Sequence, residues 1–355
     1  MPTFVLAGGG TGGHVYPALA IGDVLKERGH EVLYYGDPRR LEARVAPERG
    51  YTFRAVEALQ YPRSGLAGKV RFALGLLRST WRTRGMLRRD GVDVVLGVGG
   101  YISAPPVLAA WSLGRGRAIH EANVVPGLAN KLCARVAQVV LLTYERTVGR
   151  VPSKAPKHVV GVPVNPKVLS GDRQAAAARY GLAPDRPTAL FVGGSLGAAR
   201  INELAIACAV ADRSYQILHL CGPRYEDEVR SALGDAEVVL VPYEDRMGDA
   251  YAVADLVICR AGSSTLAELA AVGKPAVLIP SPNVTENHQE ENARGLEELG
   301  AAEVLLEADL DVSRAVEQIG RLLESDLKAM ATAAQGAARL DAAQRAADLV
   351  EALTT

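Results

Sequence analysis

The sequence predicts two Rossmann-like α/β domains with parallel sheets, one in each half of the chain, facing a central cleft. The first observation is a glycine-rich turn that occurs twice, at residues 8–13 and 193–198, here named the first and second glycine turns. Each follows a short apolar run and precedes an amphipathic segment, which indicates a buried parallel strand leading into a helix. The second observation is that strand-like and helical segments alternate along the chain.

Length and charge limit the class of protein. A chain of 355 residues is long enough for two domains with separate cores. Lys+Arg and Asp+Glu both number 40, so the net charge of zero argues against a nucleic-acid partner. No apolar run reaches the length of about 18 residues that spans a bilayer, and the N-terminus lacks the features of a secretory signal. Any membrane contact is therefore expected to be peripheral.

The cysteines are too far apart in sequence for a CxxC pair, and each lies in an apolar or strand-like context. This pattern predicts reduced, buried thiols of an intracellular protein and no zinc site. The residues concerned are Cys133, Cys208, Cys221 and Cys259.

Short β-branched runs bounded by glycine, proline or polar residues predict the strands. They lie at 31–35, 92–98, 117–120, 139–142, 190–192, 216–220, 237–241, 256–259 and 276–279. Residues 151–168 contain four prolines and predict a linker, which divides the chain into domains 1–162 and 163–339. Residues 340–355 predict an amphipathic helix that either ends the second domain or returns to the first.

Residues 61–90 combine many basic side chains with interleaved apolar ones, against the single acid Asp90. One interpretation is a surface that lies on an anionic bilayer. The other is a packed helix with a solvated basic rim.

The first glycine turn satisfies G-x-G-x-x-G through Gly8, Gly10 and Gly13, and Asp37 ends the next strand, where dinucleotide domains place a ribose-binding acid. An NAD-type enzyme is therefore one alternative. His14 follows the turn and would project toward the cleft. A lone histidine is more often structural, but this position favours a functional role.

Residues 260–268 follow an apolar run and open a helix in the second half. Ser263 or Ser264 suits the N-cap, and the N–H groups of Ser264 and Thr265 suit a phosphate. Glu268 can accept hydrogen bonds from both hydroxyls of a ribose. Alternatively, Glu268 completes a capping box with Thr265.

Three other polar loops are expected at the carboxyl edges of the two sheets, at residues 97–105, 120–127 and 280–293. Their amide and carboxylate groups can pair with sugar hydroxyls. Neither glycine turn is accompanied by a DxD-type acidic pair, so a metal-held diphosphate is not expected.

Taken together, these segments resemble the MurG family of bacterial GT-B glycosyltransferases, which transfer N-acetylglucosamine (GlcNAc) from UDP-GlcNAc to lipid I. The resemblance implies a GT-B fold and an inverting transfer without metal or other cofactor. It implies UDP-GlcNAc mainly in the second domain, lipid I against the first, and peripheral attachment to the cytoplasmic face of the cell membrane. The matching segments are 8–14, 97–105, 120–130, 193–198, 260–268 and 288–293.

The resemblance also implies roles for individual residues. Glu268 would bind the uridine ribose, and Gln289 would read the GlcNAc hydroxyls. Gly100 and Tyr101 would lie on the acceptor side. The full set implied for UDP-GlcNAc is Thr11, Gly12, Gly13, Asn123, Ser195, Tyr243, Met247, Arg260, Ser263, Ser264, Thr265, Glu268 and Gln289.

The reaction needs a general base that takes the proton from the C4 hydroxyl of the muramyl sugar. His14 is the first candidate, because a neutral imidazole accepts a proton near pH 7, and Glu121 is the second. The alternatives are another GT-B transferase, an NAD-type Rossmann enzyme and a non-catalytic sugar-nucleotide sensor. The second glycine turn and residues 260–268 argue against the NAD-type enzyme.

Overall fold

The computed structural model describes residues 1–58 and 65–354. The chain forms two compact units. Unit 1 comprises Met1–Val164 and Arg339–Thr355, and unit 2 comprises Asn165–Ala338. The division therefore falls two residues after the expected boundary, and the last segment belongs to the first unit.

Unit 1 is built on a seven-stranded parallel sheet with the strand order β3-β2-β1-β4-β5-β6-β7. All five residues of β1 are buried, as expected for a strand covered on both faces. The strands are β1 (Thr3–Ala7), β2 (Glu31–Gly36), β3 (Thr52–Ala55), β4 (Val94–Gly97), β5 (Gly116–Glu121), β6 (Val139–Leu142) and β7 (Lys157–Val159). The first helices are α1 (Gly12–Glu27), α2 (Leu41–Glu48), α3 (Leu66–Arg89), α4 (Ala104–Ser112) and α5 (Leu128–Cys133).

The predicted linker at 151–168 is wrong in part, because it contains β7. Pro152 and Pro156 precede this strand, so they remove no hydrogen-bond donor from it. β7 is also an edge strand, where neighbouring prolines are tolerated. Because β7 pairs with β6, most of the predicted linker belongs to unit 1, whose first segment ends at Val164.

Unit 2 is built on a six-stranded parallel sheet with the order β10-β9-β8-β11-β12-β13. The strands are β8 (Thr188–Val192), β9 (Gln216–Leu220), β10 (Val239–Val241), β11 (Leu256–Cys259), β12 (Ala276–Leu278) and β13 (Ala302–Val304). The helices are α6 (Arg173–Tyr180), α7 (Ala199–Val210), α8 (Glu226–Leu233), α9 (Met247–Val253), α10 (Ser263–Val272), α11 (His288–Glu298), α12 (Val312–Glu324) and α13 (Lys328–Gly336).

The last helix, α14 (Ala342–Glu351), packs against α1 of unit 1. Glu351 accepts hydrogen bonds from Arg28 Nη1 and pairs with His30 Nε2, both at 2.7 Å. Of the two placements open from sequence, the helix therefore returns to the first unit. The final residue, Thr355, lies outside the described residues.

Both sheets reverse their strand order at one place, between β1 and β4 in unit 1 and between β8 and β11 in unit 2. In open parallel sheets, ligands bind at the carboxyl ends of the strands next to such a reversal. The first glycine turn follows β1, and the second glycine turn follows β8. The two predicted Rossmann-like domains are confirmed, and each turn stands at the binding position of its own sheet.

The expectation of buried, unpaired cysteines is confirmed. All four cysteines are free and buried. Within the described part of the chain, no helix combines the length and apolar character needed to cross a bilayer.

Candidate active site

In unit 1, the first glycine turn places His14 in the opening turn of α1. The imidazole lies against the loop that follows β4. A methyl group at Gly99 would lie 3.0 Å from His14 Cε1, and the φ angle of Gly99 is +98°, so both space and backbone require glycine there. The turns after β1 and β4 therefore meet at the half-buried His14 side chain.

Asp37, which the dinucleotide fingerprint would assign to a ribose, is already fully engaged. Its carboxylate accepts hydrogen bonds from the backbone and guanidinium of Arg39 and, at 3.0 Å, from the Tyr101 hydroxyl. These hydrogen bonds, chiefly those from the Arg39 side chain, lower the pKa of Asp37 to about 2. Asp37 is thus a fixed anion that orients Tyr101. It is not available to bind a ribose, which argues against the NAD-type enzyme.

Glu121, the second candidate for the base, has a different role. Its side chain is buried at the end of β5, and burial raises its pKa. One carboxylate oxygen accepts hydrogen bonds from the backbone and side chain of Asn123, and the other accepts from Gly127 N and Asn130 Nδ2. A carboxylate holding four donors is not placed to take a proton from a substrate, so Glu121 shapes the loop that carries Asn123.

In unit 2, the expected N-cap of α10 is wrong. Gly262 is the N-cap, without a side-chain capping bond, and Ser263 is the first helical residue. The first intrahelical hydrogen bond of α10 runs from Leu266 N to Gly262 O. Ser263, Ser264 and Thr265 therefore occupy the positive end of the helix, where an anion is favoured.

Glu268 lies one turn further along α10. Its Oε2 accepts a hydrogen bond from the buried Tyr251 hydroxyl of α9 at 2.8 Å. Burial raises the pKa of Glu268, and the donation from Tyr251 lowers it in part. The bond to Tyr251 also excludes a capping box as the main role of Glu268, because this acid faces α9.

The contact with Tyr251 yields a prediction. If Glu268 binds the uridine ribose, as the resemblance implies, Tyr251→Phe removes a hydrogen bond to a charged group of that site, and the KM for UDP-GlcNAc should rise by roughly 10-fold. Losing the donor also raises the pKa of Glu268, so the protonated fraction of this acid grows sooner as the pH falls. The ratio of variant to wild-type KM should therefore increase toward acidic pH.

Steady-state kinetics across a pH series measures this effect. Tyr215→Phe is the matched control, because Tyr215 is also a buried tyrosine of unit 2. Equal KM values for Tyr251→Phe and wild type at every pH would contradict the role of the Tyr251 hydroxyl in positioning the Glu268 carboxylate.

The loop that is expected to border the uracil is fixed by hydrogen bonds to the carboxylate of Glu244. Glu244 accepts hydrogen bonds from Tyr180 Oη at 2.6 Å, from Arg246 N at 2.7 Å and from the Arg179 guanidinium. These bonds fix the segment between Tyr243 and Met247. Tyr243 is 46% exposed, so part of its ring is accessible to a ligand.

Two other predicted residues have partners in unit 2. The Arg260 guanidinium donates to Ile279 O and pairs with Glu307, so its charge is balanced by a protein carboxylate. Gln289 Oε1 accepts from Ser281 N at 2.9 Å. The first contact ties the loop after β11 to β12, and the second holds the loop after β12 against α11.

The remaining predicted residues lie in or beside the first and second glycine turns. Thr11 is exposed at the N-cap of α1, and Gly12 and Gly13 begin that helix. Ser195 is exposed in the second glycine turn, and Gly100 borders the first. Of the predicted residues, unit 1 contains Thr11, Gly12, Gly13, His14, Gly100, Tyr101 and Asn123, and unit 2 contains Ser195, Tyr243, Met247, Arg260, Ser263, Ser264, Thr265, Glu268 and Gln289.

Comparison with known proteins identifies related chains. Residues 4–142 match the glycosyltransferase family 28 N-terminal domain, and residues 188–350 match the family's C-terminal domain. Two relatives named UDP-N-acetylglucosamine--N-acetylmuramyl-(pentapeptide) pyrophosphoryl-undecaprenol N-acetylglucosamine transferase come from Salinibacter ruber and Halothermothrix orenii. The first is 40% identical, covering 99% of this chain and 97% of its own. The second is 39% identical, covering 95% and 94%.

Solved structures are also similar. Acinetobacter baumannii MurG superposes with a TM-score of 0.80 and 29% identity, over 99% of this chain and 100% of that one. The glycotransferase of kitacinnamycin has a TM-score of 0.75 at 18% identity over 100% of both chains, which supports the fold alone.

Proposed function

This chain belongs to glycosyltransferase family 28, and from that premise we propose that it transfers GlcNAc from UDP-GlcNAc to the muramyl sugar of lipid I. The product is lipid II, a precursor of peptidoglycan. The family relationship covers nearly the full chain, so the activity is assigned to the chain as a whole.

The observation that carries the donor assignment is the pairing of two features beside the strand reversal of unit 2. The second glycine turn and the N-terminus of α10 follow the neighbouring strands β8 and β11. Glu268 stands one helical turn further along. A diphosphate at the positive helix end and a ribose on the Glu268 carboxylate fit the chemistry of a uridine diphosphate sugar.

The proposed reaction is a single displacement. The C4 hydroxyl of the muramyl sugar attacks the anomeric carbon of GlcNAc as the bond to the UDP oxygen breaks, which inverts the configuration and forms a β-1,4 link. The proton of the hydroxyl passes to the general base, and the leaving UDP carries away the bonding electron pair. The helix dipole of α10 stabilises the charge that develops on UDP, so we propose that the transfer requires no metal.

His14 is the proposed base. It lies at the strand reversal of unit 1, where the acceptor is assigned, and an imidazole can take up the proton of the attacking hydroxyl. Gly100, Tyr101 and Asn123 border the same edge of the sheet. Glu121 is withdrawn from this role because its lone pairs are occupied by the loop it holds.

Turnover of UDP-GlcNAc with a lipid I analogue tests the proposal. We expect release of UDP and formation of a β-1,4-linked product, at a rate unchanged by EDTA. Strong metal dependence would contradict the helix-dipole mechanism. Stabilisation by NAD but not by UDP-GlcNAc in a thermal-shift comparison would favour the NAD-type Rossmann enzyme.

We also propose that helix α3 docks on an anionic membrane surface, at the cytoplasmic face where a lipid-linked acceptor is presented. One side of α3 packs in unit 1 through Thr83 and Leu87. The apolar residues of the opposite side recur at helical spacing and are exposed, including Leu77 at 66% and Trp81 at 77%. The full exposed stripe comprises Leu66, Val70, Leu74, Leu77 and Trp81.

The charge around this stripe suits an anionic bilayer, because exposed Lys69, Arg71, Arg78, Arg82 and Arg88 accompany it. The packed side of α3 agrees with the interpretation of this segment as a packed helix with a solvated basic rim. The exposed apolar stripe favours the other interpretation, a surface that lies on an anionic bilayer. Residues 61–64, which begin the predicted basic stretch, lie outside the described residues.

Introducing negative charge into the stripe should abolish membrane binding. The double variant Leu77→Glu/Trp81→Glu is expected to reduce sedimentation with anionic vesicles at least about 10-fold, because two large apolar contacts are lost. Val210→Glu, an exposed apolar position of unit 2, is the control. Unchanged sedimentation of the double variant would exclude α3 as the docking surface.

A further inference from the structure

The first glycine turn contains an internal anion, the carboxylate of Glu42. This residue lies in the first turn of α2 and is 0% exposed. Its Oε2 accepts a hydrogen bond from Gly10 N at 3.1 Å, and its Oε1 accepts from Asp37 N at 3.1 Å. The carboxylate thus joins the turn after β1 to the end of β2.

Two glycines make room for this side chain. A methyl group at Gly9 would lie 1.9 Å from Glu42 Oε1, and one at Gly36 would lie 2.5 Å from Glu42 Cγ. Contacts of that length are impossible, so any side chain at either position would displace the carboxylate. The absence of a side chain at Gly9 and Gly36 therefore leaves the space that the Glu42 side chain occupies.

The second glycine turn differs at the corresponding place. A methyl group at Gly194 would meet no atom of the described residues within 4 Å. The backbone of the second turn is therefore accessible where that of the first is filled by a carboxylate. The two turns look alike in sequence but differ at this position, where Glu42 fills the space beside Gly9 and the space beside Gly194 is open; beside Gly10 the first turn is open as well.

We infer that Glu42 is a positioning residue, which replaces a bound phosphate at the first glycine turn and holds that turn in the shape that sets His14. A substrate diphosphate does not enter between Gly9 and Gly10. The Gly10 amide is fixed one residue before the N-cap Thr11, and α1 begins with His14 in its first turn. Only the link from His14 to catalysis rests on the proposed function.

Chemical rescue of Glu42→Ala tests this inference. The variant should lose on the order of 100-fold in kcat, because the base is displaced, while its KM for UDP-GlcNAc stays near that of wild type. Added acetate should occupy the vacated site and recover activity several-fold. Acetate should not rescue His14→Ala. Glu48→Ala, at the exposed end of the same helix, should behave as wild type.

Hydrogen exchange gives a readout that does not depend on activity. The Gly10 amide should be protected in wild type, exposed in Glu42→Ala and protected again by acetate. Absence of transfer by wild type would refute the proposed function without touching this result. A folded Glu42→Ala variant with unchanged Gly10 exchange would overturn the inference, as would an exchange loss that acetate does not reverse.

Glu42→Gln covers the case in which the alanine variant fails to fold. The amide matches the carboxylate in size but can accept through only one oxygen, so one of the two backbone bonds is lost. We expect faster exchange at Gly10 or Asp37 and a several-fold lower kcat. Wild-type exchange at both amides would overturn the inference.

Discussion

Glu268→Ala is expected to raise the KM for UDP-GlcNAc by on the order of 100- to 10,000-fold, with a smaller effect on kcat. The proposed contact consists of two ribose hydroxyls that donate to one carboxylate, and each hydrogen bond to a charged group contributes about 1.5–3 kcal/mol. The ribose does not take part in bond breaking, so the loss should fall mainly on binding. Steady-state kinetics and calorimetric titration with UDP measure it.

Glu324→Ala provides the control, because Glu324 is an exposed acid of unit 2 at the end of α12. Glu268→Gln should lie between wild type and the alanine variant, since its amide keeps one acceptor oxygen. The ratio of wild-type to Glu268→Ala affinity should be smaller for 2′-deoxy-UDP than for UDP, because the deoxy compound keeps only the 3′-hydroxyl as a donor to the carboxylate. Normal UDP affinity in folded Glu268→Ala would remove Glu268 from the donor site.

His14→Ala is expected to lower kcat by on the order of 100- to 10,000-fold, which is the usual contribution of a general base. The KM for UDP-GlcNAc should change little, because the donor is assigned to unit 2. Single-turnover kinetics with a lipid I analogue separates this chemical effect from product release.

His158→Ala is the matched control, because His158 is a half-buried histidine of unit 1 on the edge strand β7. Its kcat should remain near that of wild type. A folded His14→Ala variant with near-normal kcat in single-turnover kinetics would rule out His14 as the base.

Sequence patterns predicted the two sheets because their central strands are continuous apolar runs, as in 190–192 and 256–259. Three of the four edge strands, β3, β7 and β13, were missed, whereas the edge strand β10 was predicted at 237–241. β3 and β13 are short and carry polar residues such as Arg54 and Glu303, and β7 lies among prolines. An edge strand is recognised by its pairing with a neighbour, and that pairing is not encoded in its own composition.

The sequence predicted those parts of the candidate site whose residues are contiguous along the chain. It did not predict contacts between distant segments. The turns at 8–13, 193–198 and 260–268 carry local signals. Tyr251 gave no signal, because its bond to Glu268 forms only when α9 packs beside α10. Glu42 was missed for the same reason, since the Gly10 amide it binds lies on a distant segment. Glu121 was a candidate base by residue type alone, and its hydrogen bonds to Asn123, Gly127 and Asn130 could not be read from the sequence.

The two glycine turns are alike in sequence, and we propose that they differ in function, with the UDP moiety bound by the second. Hydrogen exchange of the full chain with and without UDP tests this most directly. We expect strong protection of peptides that contain residues 193–198 and 260–268, and no added protection at Gly10. Protection confined to residues 8–13, with the second turn unchanged, would contradict it.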